Sequence, residues 1–364
     1  MDAKITKQRL SRMLSYDWIK IIGIIVAICI VWSLVFTMTA TQITVTQKFY
    51  VYNYLGKNSF SQDFKKLYNQ THKNEFSYEI LEKASEDLGS EVNTILEARF
   101  AVGEGDLMFI AHAPNKKDSY KVGEGEEEQT LYYNYTETFA RGRARFLYSL
   151  EGEGSNTDNY FTQVEGYLSK YFFDGNGKAD WENGTLDEEK VKADFRARVR
   201  KDKRFKTEAQ LIVGEANDIK RLESYREALK EFYKYLKTDK IVQFETITYT
   251  DYNNEEQSIT CYLNLNPSKP RIDPTTGEQA VDDEQGYYLY DETVPEDGLT
   301  KYLSYNEDLG KNDGTTKLNK TSKNMCVGFL SMNSLESKYR VEEGFQTECL
   351  FLVNALIRAA HGIN

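Results

Sequence analysis

Histidine, cysteine and proline are scarce in this chain of 364 residues, which holds 3, 4 and 5 of them. So few prolines, beside 23 glycines, exclude a collagen-like or Pro-rich linker protein. No two cysteines are spaced CxxC, and no His/Cys cluster has metal-ligand spacing. His72, His112 and His361 lack a Ser-x-Gly elbow, a cysteine partner or a His-Glu pair. Carboxylates are abundant, but no pair stands out as a general acid and base. Neither an enzyme activity nor a cofactor is therefore expected. Basic charge is also in deficit, with 46 Lys+Arg against 57 Asp+Glu and a net charge of -11. That balance, with a pI near 5.1, argues against nucleic acid as a partner. A mean hydropathy of -0.61 excludes a multi-span channel or transporter. No internal repeat is visible.

What is present is a composition suited to folding, with 40% hydrophobic and 28% charged residues. The length allows one large domain or two small ones. One stretch departs from the average. No Lys, Arg, Asp or Glu occurs between Lys20 and Lys48, and Ile21 to Met38 reads IIGIIVAICIVWSLVFTM. Such a run is long enough to cross a bilayer. Residues 18–41 are therefore predicted to be a transmembrane signal-anchor helix in contact with lipid. Residues 1–17 form a basic tail, with Lys4, Lys7, Arg9 and Arg12 against Asp2 and Asp17. The positive-inside rule puts this tail in the cytoplasm and 42–364 outside the cell membrane. A cleaved signal peptide fits less well. Its apolar region is about 7–15 residues, and Met38 stands where a small residue is wanted before Ala40. Without residues 1–41, which carry three net positive charges, the outer part stands at -14.

The outer part opens with β-rich residues from Ile43 to Tyr52, then a helix from Ser59 with Gln62 as its capping partner. Phe76 to Leu81 reads as a second strand. A helix from about Ser90 stops at Gly103-Glu104-Gly105, and Leu107 to Ala111 is a short apolar run of the buried parallel kind. Strand, helix, strand, helix, strand implies a parallel sheet with right-handed crossovers. Ligands of open α/β sheets collect beyond the carboxyl ends of the strands. Asn53, Tyr54, Ser59, His112 and Asn115 fall there and are the candidate ligand-binding residues.

Residues 130–238 read as largely helical, with a capping box at Thr185 and Glu188 and a stripe of Leu222, Tyr225, Leu229, Phe232 and Leu236. Residues 239–364 return to strands and close with a helix from Phe345 to Ala360. Lys240–Tyr252 and Ser258–Leu265 form a hairpin, and Tyr287–Tyr290 and Met325–Met332 are further strands. Asp174, Asn176 and Asp180 invite a calcium-loop reading, but Lys178 and Ala179 stand where a ligand and a glycine are needed, so a polar turn is expected. Nine basic residues lie between Lys190 and Lys206 with only Asp194 and Asp202 as acids. This segment is either a contact for anionic headgroups or wall polymer, or a solvated helix paired with nearby acids. Of 26 tyrosines, Tyr132, Tyr133 and Tyr135 are the densest group, suited to stacking on sugars or peptides or to ordinary packing. Cys261, Cys326 and Cys349 are expected to be buried thiols, with Cys326 and Cys349 the pair to bridge if any does.

The run Thr94-Ile-Leu-Glu-Ala-Arg-Phe-Ala-Val-Gly-Glu-Gly-Asp-Leu-Met-Phe-Ile110, after a strand-helix-strand opening, resembles the N-terminal lobe of extracellular solute-binding proteins of ABC importers, the type II periplasmic binding proteins. The opening MLSYDWIKIIGIIVAICIVWSLVF with an acidic, Tyr-rich outer region is similar to membrane-anchored proteins of Firmicutes. The resemblance covers about residues 43–115. It implies an α/β, bilobal ectodomain with a helical insertion: a first lobe at 42–129, a largely helical part at 130–238, and strands with a C-terminal helix at 239–364. It also implies capture of a small solute in an interlobe cleft, for an ABC permease. Family members of Gram-positive bacteria usually carry a lipid anchor, and this chain departs from them in keeping a membrane helix. The alternatives are a structural or sensory ectodomain of a membrane complex, with no small ligand, and a hydrolase of envelope polymers.

Overall fold

The computed structural model describes residues 7–39, 47–54, 59–76, 80–87, 92–112, 119–122, 129–132, 135–151, 159–251, 253, 255–268, 271–278, 280, 298–308, 318–331 and 344–363. Asn115 and Tyr287–Tyr290 lie outside them, as do the side chains of Tyr132, Tyr133 and Tyr135. The chain divides into two compact units, Met1–Thr44 and Val45–Asn364.

The first unit is one helix, α1 (Lys7–Thr39). Its stretch Trp18–Phe36 has a mean hydropathy of 2.7, and none of that stretch is buried by protein. At 1.5 Å per residue these 19 residues reach about 28 Å, the thickness of a bilayer's hydrocarbon core. Beyond Lys20 this stretch is apolar on every side, which water does not favour and lipid does.

The second unit is built on a sheet. Its strands in chain order are β1 (Lys48–Asn53), β2 (Glu82–Asp87), β3 (Leu107–Ala111), β4 (Ser119–Val122), β5 (Gln129–Tyr132), β6 (Phe172–Phe173), β7 (Thr185–Leu186), β8 (Gln243–Thr250), β9 (Glu256–Asn264), β10 (Tyr305–Asp308), β11 (Leu318–Thr321) and β12 (Met325–Phe329). The helices are α2 (Gln62–Asn74), α3 (Val92–Ala101), α4 (Tyr135–Arg143), α5 (Tyr160–Leu168), α6 (Glu188–Val199), α7 (Glu208–Tyr233) and α8 (Glu348–His361). Six strands form one sheet in the order β2-β1-β3-β12-β9-β8. β1 is parallel to β2 and β3, whereas β12 runs antiparallel to β3 and to β9. The parallel unit expected from the alternating pattern is present. β1, β2 and β3 of 42–129 and β8, β9 and β12 of 239–364 nevertheless share a single sheet, because β12 pairs with β3 along its whole length, Met325 opposite Ala111 and Phe329 opposite Leu107.

Both faces of the sheet are covered. One face presents Phe49, Val51, Leu107, Phe109, Val327 and Phe329 to α2, α5, α7 and α8. The other presents Tyr50, Tyr52, Met108, Ile110 and Tyr262 to Leu96 and Phe100 of α3 and Phe139 of α4. Burial on both sides is why β3 reads LMFIA without alternation. Each such side chain contributes about 1.5–3 kcal/mol on leaving water. The helix α3 ends at Gly103, whose φ of 72° gives the left-handed turn that starts the return to β3.

Three local expectations are corrected. The cap of α2 is Ser61, whose Oγ accepts from Phe64 N–H at 3.0 Å, and not Ser59, which is buried in an extended segment beside the Phe60–Leu303 bridge. The second strand is the polar Glu82–Asp87, not Phe76 to Leu81. It is an edge strand, while Phe76 and Ile80 enter the core from the chain before it. The cap of α6 is Asp187, which accepts from Lys190 N–H at 3.0 Å, because Thr185 is taken into a pairing with Phe173.

Gly214 lets α7 lie close on α6. A Cβ there would strike the rings of Phe195 and Phe205, the latter at 2.8 Å. Gly214→Ala is expected to cost about 1–3 kcal/mol through overpacking, read as a lower urea midpoint at unchanged slope. Gly175→Ala, in open space, should leave the midpoint in place.

Candidate functional site

The chain leaves β1 for β2 on one side and returns to β3 on the other, so the order reverses between β1 and β3. The carboxyl ends of those two strands flank a topological switch point, where open α/β sheets hold ligands. Asn53 ends β1, and Tyr54 N–H donates to Phe109 O at 2.8 Å. His112 follows β3, and Ser59 precedes the capped start of α2. The structure thus brings Asn53, Tyr54, Ser59 and His112 to one edge. Asn53 and Ser59 are buried, and Tyr54 meets Phe139 edge-on at 5.2 Å. The His112 Nδ1 lies 2.7 Å from Thr136 Oγ1. Burial lowers the imidazole's pKa, against the pull of Glu245, so it is held neutral at pH 7.

The same edge continues across the antiparallel strands. His112 N–H donates to Asn324 O at 2.9 Å. Asn324 adopts a left-handed φ of 49° and lies 3.3 Å from Asn264 Nδ2. Asn264 Nδ2 and Gln243 Nε2 both donate to Glu245 Oε1 at 2.7 Å. Amides, an imidazole and a carboxylate therefore run along the edge from β3 to β8.

Beside the start of β8 lies an open groove of about 750 Å3. Phe161 from α5 and Phe244 from β8 form its floor, with ring centroids 5.6 Å apart. Tyr233 joins them at the end of α7, and its hydroxyl donates to Glu165 Oε1 at 2.6 Å. Burial, then that carboxylate, pushes the phenol's pKa up, so it stays a neutral donor. Lys237 Nζ stands 3.8 Å from the centre of the Tyr233 ring. Glu151, Lys240 and Gln243 complete the rim.

The backbone around the groove is unusual. α7 gives way to a π-turn, Lys234–Thr238, in which Asp239 N–H reaches back to Lys234 O at 2.9 Å. Lys240 follows with φ 53°, a conformation that costs a non-glycine residue about 1–2 kcal/mol. π-turns and left-handed residues cluster at functional sites. None of Asn53, Tyr54, Ser59 and His112 lines this groove, which Phe161 of α5, Tyr233 of α7, Lys237 of the π-turn and Phe244 of β8 build together. The sequence signals here are the helical stripe that ends near Leu236 and the strand from Lys240, and neither points to a ligand.

Other sequence candidates resolve structurally. Asp174 Oδ1 accepts the backbone N–H groups of Asn176 and Lys178, both at 2.8 Å, closing a polar turn. Among the described residues no three His, Cys, Asp or Glu side chains gather as a metal would require. Cys261, Cys326 and Cys349 are buried thiols that form no disulfide, and burial pushes the Cys326 thiol far up. In the basic segment Lys192, Arg196, Arg198 and Arg204 pair with Glu189, Glu208, Asp218 and Asp202, and Lys190 lies over Tyr171 and Phe173.

Comparison with known proteins found no matching protein family, no matching curated protein and no matching solved structure.

Proposed function

We propose that the protein is a membrane-tethered solute-binding protein of the cell surface, anchored with its N-terminus in the cytoplasm and passing a small solute to a permease of the ABC type. The observation that carries this reading is the groove. Its volume lies within the range of small-ligand sites, and it combines an aromatic floor with a few polar groups of both charge signs. Rings of Phe161, Tyr233 and Phe244 suit the apolar face of a sugar or a side chain. Glu151, Glu165, Lys237 and Lys240 suit hydroxyl, amino and carboxyl groups. The β1-α2-β2-α3-β3 unit supports the likeness to the first lobe of a type II periplasmic binding protein, with the helices of 130–238 as the counterpart of a second lobe.

Thermal melting of the detergent-solubilised full chain against sugars, peptides, amino acids and anions tests this. A true ligand at about 100 times its Kd adds roughly 2.7 kcal/mol, or about 3–5 °C in Tm. Lys237→Ala with Lys240→Ala, both exposed, should remove the shift and leave the unliganded Tm unchanged. A library without a single shift would sink the proposal.

One observation favours a second reading, a structural or sensory ectodomain without a small ligand. β1, β2 and β3 share one sheet with β8, β9 and β12, which speaks for a single body over two hinged lobes. A permease or sensor kinase that co-purifies with the Lys237→Ala/Lys240→Ala variant as well as with the native chain would favour it.

A further inference from the structure

The corner between α6 and α7 departs from the rest of the outer region in two ways. Residues 200–208 hold five basic residues, Arg200, Lys201, Lys203, Arg204 and Lys206, against Asp202 and Glu208, in an outer region whose net charge is -14. Both acids are already engaged, Asp202 by Arg204 at 2.6 Å and Glu208 by Arg196 at 2.6 Å. Arg200, Lys201, Lys203 and Lys206 are exposed, and among the described residues none has an ion-pair partner. Just beyond them α7 carries Ile212 and Val213, 55% and 60% exposed. With Ala209 and Ala216, also exposed, they form a stripe at spacings of three, four and seven. The opposite face of the helix, with Gly214, Glu215 and Asp218, is buried. The stripe starts about 3 Å along the helix from the capping residue Thr207.

The corner is held in place. Thr207 and Gln210 form a full capping box, Arg204 N–H donates to Asp202 Oδ1 at 2.8 Å, and Phe205 packs edge-on against Phe195 at 5.1 Å. Four unpaired cations and two exposed branched apolar side chains are thus presented together on a fixed support.

We propose that this corner docks on an anionic lipid bilayer, with Ile212 and Val213 entering the headgroup boundary and Arg200, Lys201, Lys203 and Lys206 meeting lipid phosphates. Surface-lying amphipathic helices bind membranes by this combination of apolar area and basic charge. The apolar pair decides between two anionic partners, because a phosphate-rich polymer offers cations a contact but gives Ile212 and Val213 no medium to enter. The bilayer is also the surface for which the same chain carries a helix long and apolar enough to cross.

Hydrogen-deuterium exchange tests it, with the full chain in nanodiscs of phosphatidylglycerol or of phosphatidylcholine. The amides of residues 208–216 are expected to exchange about threefold or more slowly in phosphatidylglycerol, with α8 unchanged as the folding control. Ile212→Ser with Val213→Ser, and separately Lys201→Glu with Lys203→Glu and Lys206→Glu, should each abolish the difference. Equal exchange in the two lipids would overturn the proposal. So would a difference that survives Ile212→Ser with Val213→Ser, since that assigns the corner to anionic phosphate alone, as in a wall polymer.

Discussion

Asp218→Ala is expected to destabilise the unit Val45–Asn364 by about 3–5 kcal/mol, lowering its Tm by roughly 4–8 °C. The carboxylate sits at the centre of a buried charged cluster on α7. Its Oδ1 accepts from Arg221 Nε at 2.7 Å and from Arg198 Nη2 at 2.8 Å. The side chains of Asp218 and Arg221 are 3% and 2% exposed, so the cost of dehydrating them is carried by their contact. Arg221 also donates to Tyr167 Oη at 3.0 Å and lies over the Tyr225 ring, whose hydroxyl donates to the fully buried Glu348 at 2.5 Å. Removing Asp218 leaves the cationic group in the interior and takes away its carboxylate, which is costlier than never having built the pair. Burial alone would raise the Asp218 pKa, but Arg221 and Arg198 hold it below its ordinary value of 3.8. The sign follows. A carboxyl depressed in the folded state stabilises fully above its unfolded pKa, and that stability is lost as pH falls through the folded value. The gap between the native chain and Asp218→Asn should therefore be widest near neutral pH and narrow below about pH 4. A gap independent of pH would show that the carboxylate's charge is not what stabilises the cluster.

Ile25→Asp with Val31→Asp is expected to move the protein from the membrane fraction to the soluble fraction. A carboxylate near the centre of a span costs about 2.5–3.5 kcal/mol on insertion scales, so two cost about 5–7 kcal/mol. The native stretch from Trp18 to Phe36 carries no charge except Lys20 near its start, and Trp32, its most exposed aromatic residue at 72%, has no protein to cover it. Alkaline carbonate extraction reads the change, because it strips peripheral proteins and leaves spanning helices. Ile25→Leu with Val31→Leu should stay in the pellet. Were the Asp pair to remain there as well, α1 would not be what holds the protein to the membrane.

The parts of the fold that local chemistry dictates were legible. β3 is a short apolar run because it is covered on both faces, and Gly103 marks the end of α3 through a φ that other residues resist. β2 was displaced by several residues because an edge strand need not be apolar, and the apolar residues before it plug the core from outside the sheet. The two misplaced caps have a common cause. Ser59 and Thr185 have the chemistry of a cap, but each is drawn into an extended pairing, and Ser61 and Asp187 two residues later make the hydrogen bonds. The switch-point residues were within reach because the order β1, β2, β3 is short-range. The groove was not. Phe161 is a buried core residue and Tyr233 and Phe244 are half-buried, and only α5, the end of α7 and β8 meeting in space makes the three line one groove. The widening of the last turn of α7 and the left-handed Lys240 have no residue signature of their own.

The place of β12 sets a schedule for manufacture. It lies between β3 and β9, yet it emerges after all eleven other described strands. Until Met325–Phe329 arrives, one side of β3 has no hydrogen-bonding neighbour and the hairpin of β8 and β9 has no sheet to join. At about 5–20 residues per second, the chain between Ala111 and Met325 takes roughly 10–40 s to be made. For that time β3 presents an open edge to any passing strand. A ribosome stalled before residue 325 would therefore leave β1, β2 and β3 unable to complete their sheet.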